Sequence, residues 1–164
     1  MIIGLCRLRH ATRTFRTDRI NQCVVEGTGE VVEDVGAFLR SLYEKSVHAS
    51  TDNLLEEDYQ YLRVLLFVGK ADGRLTKNEV AVIADACRDL SGDERITVEL
   101  VQKMLKDMDV PTLHAFRMAV GKMVSFPEKK RMAAIQQAER IIATQKTVHP
   151  AEQEAIEYMR QRLT

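Results

Sequence analysis

Two stretches of the chain, residues 71–79 and 143–152, follow the same pattern. Each comes after an apolar run with helical spacing, crosses a short polar turn and enters a second amphipathic helix at a glutamate. A repeated helix–turn–helix pattern indicates a duplicated unit whose two halves bury their apolar faces together. The pattern therefore predicts a mainly helical, pseudo-duplicated bundle with two equivalent polar corners. The corner residues are Asp72 and Glu79 in the first and His149 and Glu152 in the second.

The β-forming part of the sequence is confined to its beginning. Residues 2–9 and 14–25 are rich in strand-forming residues, and the short segment 10–13 between them is typical of a hairpin connection. A helical pattern follows over 32–43, and polar residues then predict a linker. The sequence thus predicts three parts. These are a β-hairpin with one helix over 1–45, a linker over 46–53 and a helical bundle over 54–164.

Composition narrows the class of protein and its location. The chain has 164 residues, of which 45% are hydrophobic and 29% are charged, as in soluble globular domains. No apolar run reaches the roughly 20 residues that span a bilayer, so we expect no transmembrane segment. Cys6, Cys23 and Cys87 are odd in number and lack metal-ligand spacing. We therefore expect free thiols and a cytoplasmic location.

The polar corners are the best candidates for a ligand site. Asp72 and Glu79 could supply oxygen ligands to a divalent cation, with His149 and Glu152 as weaker candidates, although the calcium-loop pattern is absent. The alternative is structural, in which Gly73 supplies a left-handed turn and Glu79 caps the next helix. No nucleophile–base pair and no glycine-rich phosphate loop accompany these residues. We therefore expect no enzymatic activity. The divalent cation is the only cofactor that the sequence suggests.

The start of the chain is strongly basic. Residues 1–20 contain five arginines against one acidic residue, whereas residues 21–58 contain nine acidic residues against two basic ones. Guanidinium groups suit phosphate and carboxylate recognition. The cluster therefore predicts either binding of nucleic acid or another anion, or pairing within the chain or across a homodimer formed by the hairpin. The arginines are Arg7, Arg9, Arg13, Arg16 and Arg19.

The first corner, Ala-Asp-Gly-Arg-Leu-Thr-Lys-Asn-Glu at 71–79, followed by an apolar helix and a variant of the corner at 143–152, resembles the TerB family of tellurite-resistance-type helical domains. The resemblance covers about residues 55–162. It implies a pseudo-duplicated bundle, a role in stress response alongside membrane-linked protein complexes, and a cation site at the acidic corners. At the second corner Thr144 and Gln145 stand where the family pattern has Asp-Gly, so only Asp72 and Glu79 match the family ligands.

The arginine-rich start is similar to the closing strands of a WYL domain. Residues 5–9 (LCRLR) and 13–20 (RTFRTDRI), followed by Thr-Gly-Glu-Val at 28–31, carry this resemblance, which covers about residues 4–34. It implies that the arginines help to bind nucleic acid or a nucleotide-like ligand. The Trp-Tyr-Leu signature is missing, which indicates a remnant of that domain.

Together these observations predict a non-enzymatic interaction or sensing module in stress response, with a weak cation site and protein partners. The alternative is a regulator that binds nucleic acid or an anionic ligand through the N-terminal arginines.

Overall fold

The computed structural model describes residues 1–70, 73–145 and 148–164, and it is mainly helical. The chain forms two compact units, Met1–Ala49 and Ser50–Thr164. The predicted fold class, a mainly helical chain that begins with a small β-hairpin and a helix, is confirmed.

The first unit begins with an antiparallel hairpin of β1 (Ile2–Cys6) and β2 (Ala11–Phe15). A 3₁₀ turn at Thr17–Arg19 follows, and the short strands β3 (Cys23–Val24) and β4 (Val31–Val32) pair with each other. Helix α1 (Val35–Glu44) begins after Asp34, whose side chain accepts a hydrogen bond from the Ala37 backbone N–H at 2.8 Å.

The hairpin turns earlier than the sequence predicted. The connection lies at residues 7–10 instead of 10–13, and His10 closes it with a left-handed φ of 47°. Residues 11–13 are therefore part of β2, where Arg13 lies opposite Gly4. The second strand is also shorter than predicted, because a bidentate hydrogen bond between Arg16 and Asp18 accompanies the 3₁₀ turn that ends it.

Most of the predicted linker over 46–53 is helical, since only Ser46 lies outside a helix. Helix α2 spans Val47–Glu57, and the two compact units divide within it. Ser, Thr, Asp and Asn have low intrinsic helix propensity, so a segment rich in them is predicted as a linker. In the second unit, however, α2 buries Leu54 and Thr51, and burial of side chains on one helical face outweighs weak propensity.

Helices α3 to α8 follow in the described part of the second unit, and the dense apolar run at 59–69 lies at its centre. Helix α3 is buried on most of its surface and packs against α6 and α7. The ring of Phe67 on α3 stacks on Phe116 of α6 with centroids 4.4 Å apart. The helices are α3 (Tyr59–Gly69), α4 (Lys77–Ser91), α5 (Val98–Lys106), α6 (Leu113–Met123), α7 (Glu128–Ala143) and α8 (Pro150–Leu163).

Candidate functional site

Helices α4 and α8 begin with the same reciprocal arrangement. At α4, the Thr76 hydroxyl accepts from the Glu79 N–H at 3.3 Å, and Glu79 Oε2 accepts from the Thr76 N–H at 2.6 Å. At α8, His149 Nδ1 accepts from the Ala151 N–H at 3.3 Å, and Glu152 Oε2 accepts from the His149 N–H at 2.9 Å. The capping role predicted for Glu79 is confirmed, and Glu152 has the same role at the start of α8.

Both capping glutamates are buried, which an ordinary capping box does not require. The side chains of Glu79 and Glu152 have 0% exposure. One amide nitrogen, Gln145 Nε2, donates to Glu79 Oε1 at 2.7 Å and to Glu152 Oε1 at 2.9 Å. The two carboxylates therefore lie within two hydrogen-bond lengths of each other, and each of their four oxygens has a donor. We call this group the carboxylate pair.

The amide group of Gln145 is suited to a position between two carboxylates. A primary amide carries two N–H donors on one nitrogen, so Gln145 can satisfy one oxygen of each glutamate. It brings no charge, however, and no lysine, arginine or histidine forms an ion pair with either glutamate within the described parts of the chain. Buried carboxylates are unfavourable unless they are well paired. Among the described residues, the partners of the pair are hydrogen-bond donors without charge.

As metal ligands, the oxygen atoms of the carboxylate pair suit a hard cation better than a soft one. Carboxylate oxygens are ligands for Ca²⁺, Mg²⁺ and Mn²⁺, and no cysteine belongs to the pair. The described residues contain no group of three or more His, Cys, Asp or Glu side chains suited to a metal ion. The predicted ligand Asp72 lies outside the described residues, and Nδ1 of the other candidate, His149, is used as a helix cap.

Gln145 was not among the predicted site residues. In the aligned corners it takes the place of Gly73, whose φ of 87° confirms the predicted left-handed turn. The sequence marks Gln145 only as a departure from the first corner. Its role depends on a hydrogen bond to Glu79, 66 positions away, so no local pattern identifies it.

The five N-terminal arginines differ in their partners. The Arg16 guanidinium binds both carboxylate oxygens of Asp18, at 3.0 and 2.7 Å, which lowers the pKa of Asp18. Arg7 approaches Glu26 only to 4.0 Å, and both side chains are almost fully exposed, so this pair contributes little stability. Within the described residues, Arg9, Arg13 and Arg19 form no ion pair. Arg7 and Arg9 lie in the hairpin turn, Arg13 lies in β2, and Arg19 ends the 3₁₀ turn.

One face of the hairpin is exposed and partly apolar. Ile3 and Leu5 are largely exposed, and they lie opposite Thr14 and Thr12. Directly opposed residues of an antiparallel pair share a face, so these four side chains form one surface beside the basic turn. A two-stranded sheet also leaves the backbone groups of both outer edges unpaired.

The fold and the carboxylate pair define a mainly helical protein whose two capping glutamates meet in its interior. Comparison with protein-family models, with curated proteins and with solved structures finds no match. Among the helices that the structure describes, none is long and apolar enough to span a bilayer.

Proposed function

We propose that this protein is a non-enzymatic interaction or sensing module of stress response, with a weak divalent-cation site at the carboxylate pair. The hydrogen bonds from one Gln145 nitrogen to both Glu79 and Glu152 carry the proposal. A position that touches two buried carboxylates is where a bridging cation gains most from electrostatic attraction. The TerB resemblance of residues 55–162 supports the assignment to stress response.

The cation would supply a positive charge beside the two carboxylates, where the described residues supply only neutral hydrogen-bond donors. Glu79 and Glu152 would hold the cation through their carboxylate oxygens. Because these glutamates lie in the first turns of α4 and α8, cation binding would act on the starts of both helices. Because Gln145 already donates to both glutamates, a cation must compete with two good hydrogen bonds. This competition explains why we expect weak affinity, as suits a sensor that responds to a change in concentration.

Divalent cations are therefore expected to raise the melting temperature. At a concentration about 100 times Kd, binding to the folded state adds about 2.7 kcal/mol, which corresponds to roughly 5–10 °C for a chain of this size. Scanning calorimetry with Ca²⁺, Mg²⁺ or Mn²⁺ against EDTA measures this shift. Glu79→Gln and Glu152→Gln should each abolish it.

The matched control is Glu99→Gln. Glu99 also lies in the first turn of a helix, α5, but it is exposed. The control should keep the full cation-induced shift, whereas the substitutions at the pair lower both the baseline Tm and the shift. An equal shift in the wild type and in Glu79→Gln would place the cation elsewhere, and no shift with any of the three ions would remove the cation from the proposal.

A second function is supported by the unpaired arginines of the first unit, namely the binding of nucleic acid or another anion. Neutralising phosphates with Arg9, Arg13 and Arg19 makes the logarithm of the affinity fall linearly with the logarithm of the salt concentration. Replacing all three by alanine should weaken binding of labelled DNA or RNA in fluorescence anisotropy and lower the salt slope by about 2–3. Arg40→Ala, on the exposed surface of α1, is the control.

The same arginines and the exposed hairpin face also support a homodimer. Light scattering on the full chain and on a chain without residues 1–26 separates the two roles. A dimer that requires the hairpin, together with no salt-dependent binding of nucleic acid, would assign the arginines to assembly. A monomer in both forms would leave anion binding as their role.

A further inference from the structure

The most exposed apolar side chains are concentrated at the beginning of the chain. Among the described residues, the four large apolar side chains with the highest exposure lie at positions 1–8 and are between 69% and 88% exposed. They are Met1, Ile3, Leu5 and Leu8. Single apolar residues are normal on a protein surface, whereas several on one short hairpin indicate a surface that another molecule covers. A two-stranded hairpin also gains stability when further strands extend it.

The outer edge of β1 is open to a further strand. In the described part of the chain β1 pairs only with β2, so one row of its backbone N–H and C=O groups has no strand partner. Natural sheets discourage pairing at such an edge with charged residues, prolines or bulges. Strand β1 has no charged residue and no proline, and its pairing with β2 is continuous. Strand β2, by contrast, carries Arg13.

The charges of the hairpin favour a second copy of this chain as that strand. An antiparallel partner with the sequence of β1 brings no charge to the edge. It also places the two hairpin turns at opposite ends of the combined sheet, so that Arg7 and Arg9 of one copy stay apart from those of the other. Arg13 lies opposite Gly4, and therefore on the other face of the hairpin from Leu5. The arginines thus do not oppose this pairing.

One register uses the whole of β1 and keeps its alternation. Pairing its five residues with the same five of a second copy places Gly4 on a two-fold axis, with Ile3 opposite Leu5 of the second copy. Directly opposed residues share a face, so the exposed side chains of both copies form one apolar row. A shift by one residue would place Ile3 or Leu5 opposite Gly4 and break that row. Strand β1 is therefore complementary to itself in length and in pattern.

We infer that β1 is a self-association strand, through which two copies of the chain form one four-stranded sheet with the order β2-β1-β1-β2. Such a two-fold contact is closed, because each copy presents the same strand to the other. A single pair of five-residue strands is a small interface, so the dimer is weak and exchanges with the monomer. The inference rests on the homodimer proposed above and gives it a contact surface, but it does not depend on the cation site.

Sedimentation velocity of the full chain at increasing concentration, in EDTA, tests this contact. The wild type should show a reversible monomer–dimer equilibrium. Leu5→Lys should raise the dimer Kd about 10-fold or more, because the introduced charges of the two copies become diagonal neighbours on the central strands. The matched control is Leu8→Lys, the same change at an exposed position of the turn, and it should keep the wild-type Kd.

Salt concentration separates the strand edge from the arginines as the cause of assembly. Removing residues 1–26 eliminates both, whereas salt screens only charge–charge attraction. Because β1 is uncharged, the dimer Kd should not rise between low and high salt. A dimer held by arginine–carboxylate pairs would weaken over the same range.

Disulfide formation tests the register. Gly4→Cys combined with Cys6→Ser and Cys23→Ser should give a covalent dimer on mild oxidation. Directly opposed residues lie about 4.5–5.5 Å apart between Cα atoms, within the range of a disulfide. A Cβ atom at Gly4 comes within 3.9 Å of Phe15, an ordinary contact, so the hairpin tolerates the change. Thr12→Cys in the same background lies on the outer strand and should remain uncrosslinked.

Four results would overturn the inference. A chain that stays monomeric at every concentration has no self-association strand. A dimer that Leu5→Lys leaves intact, or one that weakens with salt, uses another surface, although the homodimer proposed above would then stand. Equal crosslinking of Gly4→Cys and Thr12→Cys would exclude the two-fold register. Binding to neutral lipid vesicles without self-association would assign the apolar face of the hairpin to a membrane surface.

Discussion

Between pH 9 and pH 12 the helical unit is expected to lose several kcal/mol of stability through two buried acids. The thiol of Cys87 on α4 and the phenol of Tyr61 on α3 are almost completely buried. Burial raises the pKa of Cys87 from 9.0 to about 12, against a small opposing effect of Arg88. Burial also raises the pKa of Tyr61 above its usual range, and the nearby charges of Asp89 and Asp58 add to the effect.

Stability falls with rising pH because the folded state holds these two protons more tightly than the unfolded state does. Both pKa values are higher in the folded chain, so below pH 9 both states are protonated and the stabilisation is complete. As the pH rises, the unfolded chain loses its protons first. The free energy of unfolding then falls by about 1.4 kcal/mol per pH unit for Cys87 above pH 9.0, and Tyr61 adds a similar slope only above pH 10.0. Over the range from 9 to about 12, Cys87 alone therefore accounts for roughly 4 kcal/mol.

Urea denaturation followed by circular dichroism at pH values from about 8 to 11 measures this loss. Cys87→Ala should lower stability modestly at neutral pH. Above pH 9 it should reduce the slope of the free energy of unfolding against pH by the contribution of one ionising group. Cys6→Ala, which removes a thiol from the hairpin, is the control and should keep the wild-type slope. Identical slopes for wild type and Cys87→Ala above pH 9 would mean that the thiol ionises as freely in the folded chain as in the unfolded one.

Replacing Gln145 by leucine is expected to be the most damaging change at the carboxylate pair. Leucine keeps a similar size but removes the two N–H donors, so that Glu79 Oε1 and Glu152 Oε1 lose their partners together. A buried charged acceptor without a partner costs about 1–3 kcal/mol or more. We expect a loss of roughly 3–5 kcal/mol and a fall in Tm of roughly 10 °C.

Three comparisons identify the cause of this loss. Gln102→Leu on the exposed side of α5 makes the same chemical change and should leave Tm nearly unchanged. Adding Glu79→Gln to Gln145→Leu should restore part of the stability, since it removes one of the two charges. If the cation site exists, divalent ions should stabilise Gln145→Leu more than the wild type, because the competing amide is gone. A Gln145→Leu chain as stable as wild type would show that the bridge contributes nothing.

Local patterns in the sequence were sufficient to predict the helix starts. The sequence predicts Glu79 as the cap of α4, because this glutamate lies within one turn of the helix start. The apolar run before the first corner, which the sequence predicts as helical, is α3. In both cases the information lies in neighbouring residues, so no knowledge of the tertiary structure is needed.

The remaining features depend on contacts between distant parts of the chain. Helix α2 has a linker-like composition, and burial of residues such as Leu54, which depends on distant parts of the chain, favours the helix. Glu79 and Glu152 can meet only if α4 and α8 begin side by side. The repeat predicts two equivalent corners but does not say how close together they lie. The predicted ligand Asp72 lies outside the described residues, whereas Gln145, which lacked any signal, supplies the central hydrogen bonds.

The hydrogen bonds of Gln145 also bear on the order of events in folding. Its bond to Glu152 spans 7 positions and its bond to Glu79 spans 66. Closing the longer loop costs more chain entropy, so the corner before α8 can form locally, and Glu79 joins it only when the bundle assembles. We expect a contact made at that stage to be largely absent from the folding transition state, so that its strength acts on the unfolding rate. The bridge between the two glutamates is therefore expected to affect how long the folded bundle persists more than how quickly it forms.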